Sequence, residues 1–81
     1  MISCQDYDYI EIACTYQYAI VLTLKSGEHL DCVAKDTGFN DDRQECIKVE
    51  IDGSERLVVL DEITTMQART NNPHFDLVSF Q

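Results

Sequence analysis

Apolar and polar residues alternate along most of this chain, but its first seventeen positions follow a longer period. Within Cys4-Gln5-Asp6-Tyr7-Asp8-Tyr9-Ile10-Glu11-Ile12-Ala13-Cys14 and just beyond, Ile10, Ala13, Cys14 and Gln17 fall within about 60° of one direction at about 100° per residue. Asp8, Glu11 and Thr15 gather on the opposite side. The spacing predicts a short amino-terminal helix with an apolar inner face and an acidic outer one. Ser3 and Asp6 are both able to cap it, because either side chain can accept a hydrogen bond from the unpaired amides of the first turn.

From Tyr18 the period shortens. Tyr18-Ala19-Ile20-Val21-Leu22-Thr23-Leu24 is a continuous β-prone run, the pattern of a central strand covered on both faces. Lys25-Ser26-Gly27-Glu28 makes a turn, and Leu30, Cys32 and Ala34 then alternate with Asp31, Val33 and Lys35 as a second strand. Asp36 to Glu45 breaks the alternation and reads as a mobile loop carrying charges and Phe39. Ile47, Val49 and Ile51 alternate with Cys46, Lys48, Glu50 and Asp52 as a half-buried strand. Asp52-Gly53 has the composition of a type I′ hairpin turn, from which Arg56 to Leu60 returns. Ile63, Thr65 and Met66 fit either a short strand or one helical turn. Thr70-Asn71-Asn72-Pro73 is a loop, and Phe75 to Phe80 supplies a last strand. The fold class expected is mainly β: one domain over residues 1–81, with one helix followed by a small barrel of five or six antiparallel strands.

Charge narrows the functions open to such a domain. The 81 residues carry fifteen acids against six Lys and Arg, a formal net charge of −9. That balance disfavours nucleic acid and anionic membranes, whose binding draws on Lys and Arg, and it fits a partner with a basic surface. No Lys or Arg occurs before Lys25, so nothing nearby in sequence neutralises Asp6, Asp8 and Glu11, and Tyr7 and Tyr9 lie among them. Tyrosine beside uncompensated charge is a common interface composition. There is no secretory signal and no run long enough to span a bilayer, so the expected location is the cytoplasm.

Groups suited to catalysis are sparse. His29 lies beside Glu28 at a strand edge and His74 follows Pro73 in a loop, both positions of solvated side chains. The three glycines stand singly at turns, without a phosphate-binding loop, and Asp41-Asp42 lacks the spacing of a calcium loop. Cys4, Cys14, Cys32 and Cys46 are ten, eighteen and fourteen positions apart, a spacing of neither a zinc knuckle nor a redox pair, and read as reduced thiols. The sequence points to no enzyme, cofactor or metal site.

The Cys4 to Cys14 segment, the Leu24-Lys25-Ser26-Gly27-Glu28 turn and Leu60-Asp61-Glu62-Ile63-Thr64 together resemble the Rho-binding antiterminator family, Rof or YaeO, over nearly the whole chain. The resemblance implies an Sm-like fold and a protein that binds the termination factor Rho, an RNA-dependent hexameric ATPase, and inhibits termination. It implies action at the amino-terminal domain of Rho, which holds a primary site for pyrimidine-rich single-stranded RNA. A site gripping single strands combines basic groups with stacking surfaces, to which an acidic helix bearing tyrosine is complementary. Asp8 and Glu11 are therefore the expected partners of Rho cations, with Asp6 helping from the helix start and Tyr7 supplying packing area. A monomer is expected for the free protein, since its charge repels copies of itself. The alternatives are an Sm-like RNA-binding module, which the charge opposes, and an acidic decoy for another basic nucleic-acid-binding protein.

Overall fold

The computed structural model describes residues 2–80. Helix α1 (Cys4–Tyr16) is followed by six strands: β1 (Ala19–Leu24), β2 (His29–Phe39), β3 (Glu45–Ile51), β4 (Ser54–Val59), β5 (Ile63–Ala68) and β6 (Leu77–Ser79). A single 3₁₀ turn, Leu60–Glu62, joins β4 to β5. All pairings are antiparallel, in the order β4-β3-β2-β1-β5-β6. The class and the strand number match the sequence reading. Closure into a barrel does not follow: β4 and β6 end the sheet, with no ladder between them among the described residues.

Helix α1 lies against the sheet through Ile10 and Ala13, both fully buried, and Cys14. These join Ile20, Leu22, Ile47, Val49, Ile63 and Met66 in one core. Gln17, expected on the inner face, is instead exposed beyond the helix end in the left-handed region (φ 52°). Its amide donates to Cys14 O and that of Tyr18 to Ala13 O, a Schellman closure that satisfies the last carbonyls.

β1 is central in pairing but not equally covered on its two faces, because Ile20, Leu22 and Leu24 are buried while Ala19, Val21 and Thr23 are only half-buried. Half of the loop expected over Asp36 to Glu45 is strand. β2 continues to Phe39, pairing Asp36 with Lys48, Thr37 with Ile47 and Phe39 with Glu45. A register shift between Ala34 and Asp36 leaves Lys35 as an extra residue. Strict alternation after Leu30, Cys32 and Ala34 would place Asp36 on the buried face; the bulge brings Thr37 opposite Ile47 instead. Only Asn40 to Gln44 remains a turn, and it is tightly held. Asn40 Oδ1 accepts from the amides of Asp42 (3.0 Å) and Gln44 (2.9 Å), and Asn40 Nδ2 donates to Gln44 Oε1 (2.9 Å).

The ambiguity over Ile63 to Met66 resolves as strand β5, with a register shift that pairs Ile63 with Leu24 and Thr65 with Thr23. That irregularity buries Ile63 and Met66 at a spacing of three, which imitates a helical turn. Asp52 and Gly53 both have positive φ (51° and 84°), as the I′ turn requires. β6 is shorter than expected, three residues, with Val78 and then Phe80 turned into the core.

Candidate partner-binding surface

Ser3 is the residue that caps α1. Its Oγ accepts from the Asp6 amide at 3.1 Å, and its carbonyl accepts from the Tyr7 amide at 2.9 Å. Asp6 thus sits in the first turn, half-buried, where its carboxylate suits the positive end of the helix dipole. Asp8 and Glu11, one turn apart, are exposed on the outer face. The two tyrosines diverge. Both are half-buried against the core, Tyr7 beside the groove described below and Tyr9 edge-on against Phe75 with ring centroids 5.8 Å apart.

None of Asp6, Asp8 and Glu11 forms an ion pair among the described residues. The cations that do pair serve acids elsewhere: Lys35 with Glu50 (3.0 Å), Arg56 with Glu28 (3.5 Å) and Arg69 with Asp31. The helix face consequently keeps its negative charge in the fold as it does in the sequence.

The amino-terminal half of α1 borders a groove of about 480 Å³ against the start of β3 and the end of β4. Its apolar lining is Ile2, Tyr7, Val59 and Leu60, and three exposed acids, Asp8, Glu45 and Asp61, stand around it. Tyr7 and Asp8 are therefore brought to one site, but Asp6 and Glu11 are not part of its lining. Glu11 borders a second, shallower depression of about 150 Å³ with Cys14, Thr15, Lys35, Asp36 and Thr37. Asp8 and Glu11 form an acidic ridge with a depression beside each. Phe39, 67% exposed, is the cross-strand partner of Glu45 and so stands on the same sheet face.

Two groups of side chains escaped the sequence reading. At the carboxyl end of α1, Tyr16 stacks on Tyr18 (5.5 Å) and on His74 (5.3 Å), and Phe75 meets Tyr18 edge-on. His74 is thus exposed but packed, while His29 Nδ1 lies 3.0 Å from Thr23 Oγ1. The second group is the groove lining, contributed by residues 2–4, 7–8, 44–45 and 59–61. Only the local acid-and-tyrosine segment signalled any of it.

Of the four free cysteines, Cys4 is exposed beside the groove and the others are buried. Burial, reinforced by the carboxylates of Asp36 and Glu11, pushes the Cys14 thiol up to about 12. Burial and then Asp31 push Cys32 up to about 11, against an opposing effect of Arg56, and burial also raises Cys46. No cluster of three or more His, Cys, Asp or Glu able to hold a metal ion occurs among the described residues. No helix among them is long and apolar enough to cross a membrane.

Known proteins resemble this chain in sequence and in fold. The family described as modulator of Rho-dependent transcription termination (ROF) matches residues 1–80. Protein rof of Escherichia coli (strain K12) is 39% identical over 64 residues, covering 79% of this chain and 75% of that protein. Protein rof of Shigella flexneri is similar to the same extent, 39% over 64 residues. A solved structure described as YaeO bound to magnesium, from Vibrio cholerae O395, superposes with a TM-score of 0.89 at 40% identity, covering 93% of this chain and 97% of that one.

Proposed function

Because the chain belongs to the Rof family of modulators of Rho-dependent transcription termination, we propose that it inhibits termination by binding the amino-terminal RNA-binding domain of Rho and occluding the primary RNA site. The observation that carries this reading is the acidic ridge of Asp8 and Glu11 on the outer face of a capped helix, which forms no ion pair among the described residues. Basic groups that would hold RNA phosphates meet these carboxylates instead, with Asp6 adding charge at the helix start and Tyr7 packing surface. RNA is then excluded by occupancy, without chemistry on Rho, and the protein acts in the cytoplasm, where Rho meets nascent transcripts.

The free protein acts as a monomer. Both sheet edges carry features that discourage further pairing: β4 exposes Glu55 and Arg56, and β6 is only three residues long.

Competition tests the reading. Labelled oligo-dC bound to Rho is titrated with this protein at two salt concentrations, and displacement that weakens at the higher one is expected, since exposed charges are screened. Absence of displacement by folded protein at low salt would refute occlusion. A shift of uridine-rich RNA by this protein alone, without Rho, would instead favour the RNA-binding alternative.

A further inference from the structure

We propose that the groove beneath the amino-terminal half of α1 receives one lysine or arginine side chain of Rho, its aliphatic stem along Tyr7, Val59 and Leu60 and its cation between Asp8 and Glu45. This rests on the reading of Rho as partner and extends it from the helix face to a defined receptor, in which Glu45 and the apolar floor take part.

The groove chemistry selects such an occupant. Val59 and Tyr7 are half-buried and Leu60 is almost wholly buried, so the floor is apolar. The Asp8 and Glu45 carboxylates at the mouth oppose anions such as phosphates or nucleotides. A purely aliphatic side chain would fill the floor but strip water from the acids without replacing it. Lysine and arginine combine both requirements, because their methylene stems lie along apolar surface while the charged head stays among polar groups. The volume of about 480 Å³ is near the low end of small-ligand pockets, enough for one extended side chain and its flanking backbone rather than a packed helix. An arginine has the additional option of bidentate hydrogen bonding to one of the carboxylates.

Glu45 is the discriminating residue. It is exposed, lies on β3 away from the helix in sequence, and belongs to the groove but not to the ridge. Glu55 is an equally exposed acid on β4 outside the groove. The test measures binding of intact Rho to the wild-type protein and to Glu45→Gln, Glu55→Gln and Asp8→Lys. It is joined by methyl resonances of Val59, Leu60 and the remote Val33 recorded with and without Rho. Glu45→Gln is expected to bind roughly three- to tenfold more weakly, the loss of one charge-assisted contact, and Glu55→Gln as wild type, although both remove one charge. The Val59 and Leu60 methyls should shift on addition of Rho while those of Val33 stay in place. If Asp8→Lys loses affinity while Glu45→Gln binds as wild type and the floor methyls do not move, the groove assignment is overturned and the helix-face reading survives. If wild-type protein does not bind Rho, the functional reading falls and takes this inference with it.

Discussion

Reversing the charge of the helix ridge should weaken Rho binding without unfolding the protein. Asp8 and Glu11 are exposed and form no ion pair among the described residues, so Asp8→Lys and Glu11→Lys remove no intramolecular pairing seen there. Asp8 lies beyond the first turn, where the effect of the helix dipole has mostly faded. Glu11 shares the shallow depression with both Lys35 and Asp36, so a lysine there meets one like and one opposite charge. Each stability change should then stay within about 0.5 kcal/mol, a melting shift of no more than about 4 °C for a domain this size. Binding responds more strongly. An exposed ion pair is worth about 0.2–1 kcal/mol, and reversal replaces attraction with repulsion of similar size, so each variant should lose about 0.4–2 kcal/mol. Since about 1.4 kcal/mol is tenfold in affinity, each Kd should rise about two- to thirtyfold. The two sites are helix neighbours, so the double variant need not be additive. The assay is fluorescence anisotropy with Rho at about 0.15 M and about 1 M salt, where the screening length falls from about 8 Å to about 3 Å, paired with circular-dichroism melts. The difference from wild type should shrink at the higher salt. Wild-type affinity in both folded variants at low salt would refute the assignment of the ridge as the contact.

Two further outcomes test the fold beneath that surface. Ser3→Ala removes the acceptor of the Asp6 amide and should destabilise the protein by about 1 kcal/mol; a melting temperature unchanged within error would mean that the cap contributes nothing. In native protein near pH 8, a thiol reagent should modify Cys4 rapidly and the three buried cysteines only on unfolding. Because Cys14 and Cys32 are raised from 9.0 to about 12 and about 11, the unfolded chain loses protons that the folded chain keeps. Stability should therefore fall as pH rises from about 9 towards 11–12, and less steeply in Cys14→Ala. Equal slopes in denaturant titrations across that range would show that the Cys14 environment does not suppress ionisation.

Where alternation was unbroken, the sequence reading located the strands. Leu30 to Ala34 and Ile47 to Ile51 lie on β2 and β3, and the Asp52-Gly53 turn has the positive φ values its composition requires. Departures coincide with bulges. Lys35 and the shift after Ile63 each insert one position, so β2 looked finished four residues early and β5 resembled a helical turn. Periodicity assumes one residue facing one partner, and a bulge breaks that correspondence without leaving a compositional mark as clear as Gly or Pro. Barrel closure was illegible for a related reason: whether β4 meets β6 depends on accumulated bend across six strands, not on a local pattern.

The candidate site divides along the same line between local and long-range order. Asp8 and Glu11 were legible because a helix places residues three apart on one face through its own hydrogen bonds. The groove was not, because Glu45 and Leu60 approach Tyr7 only after the strands have paired. Tyr16 and His74 likewise stack across a separation that no window along the chain covers. This division bears on how the surface works. The charged ridge rests on one capped helix and tolerates substitution, whereas the apolar floor depends on the register of β3 and β4. Slipping β4 by one residue against β3 would turn Val59 to the opposite face and remove part of the groove while leaving Asp8 and Glu11 in place. Long-range attraction can therefore persist in a misregistered chain, but a side chain can be seated only by the correctly paired sheet.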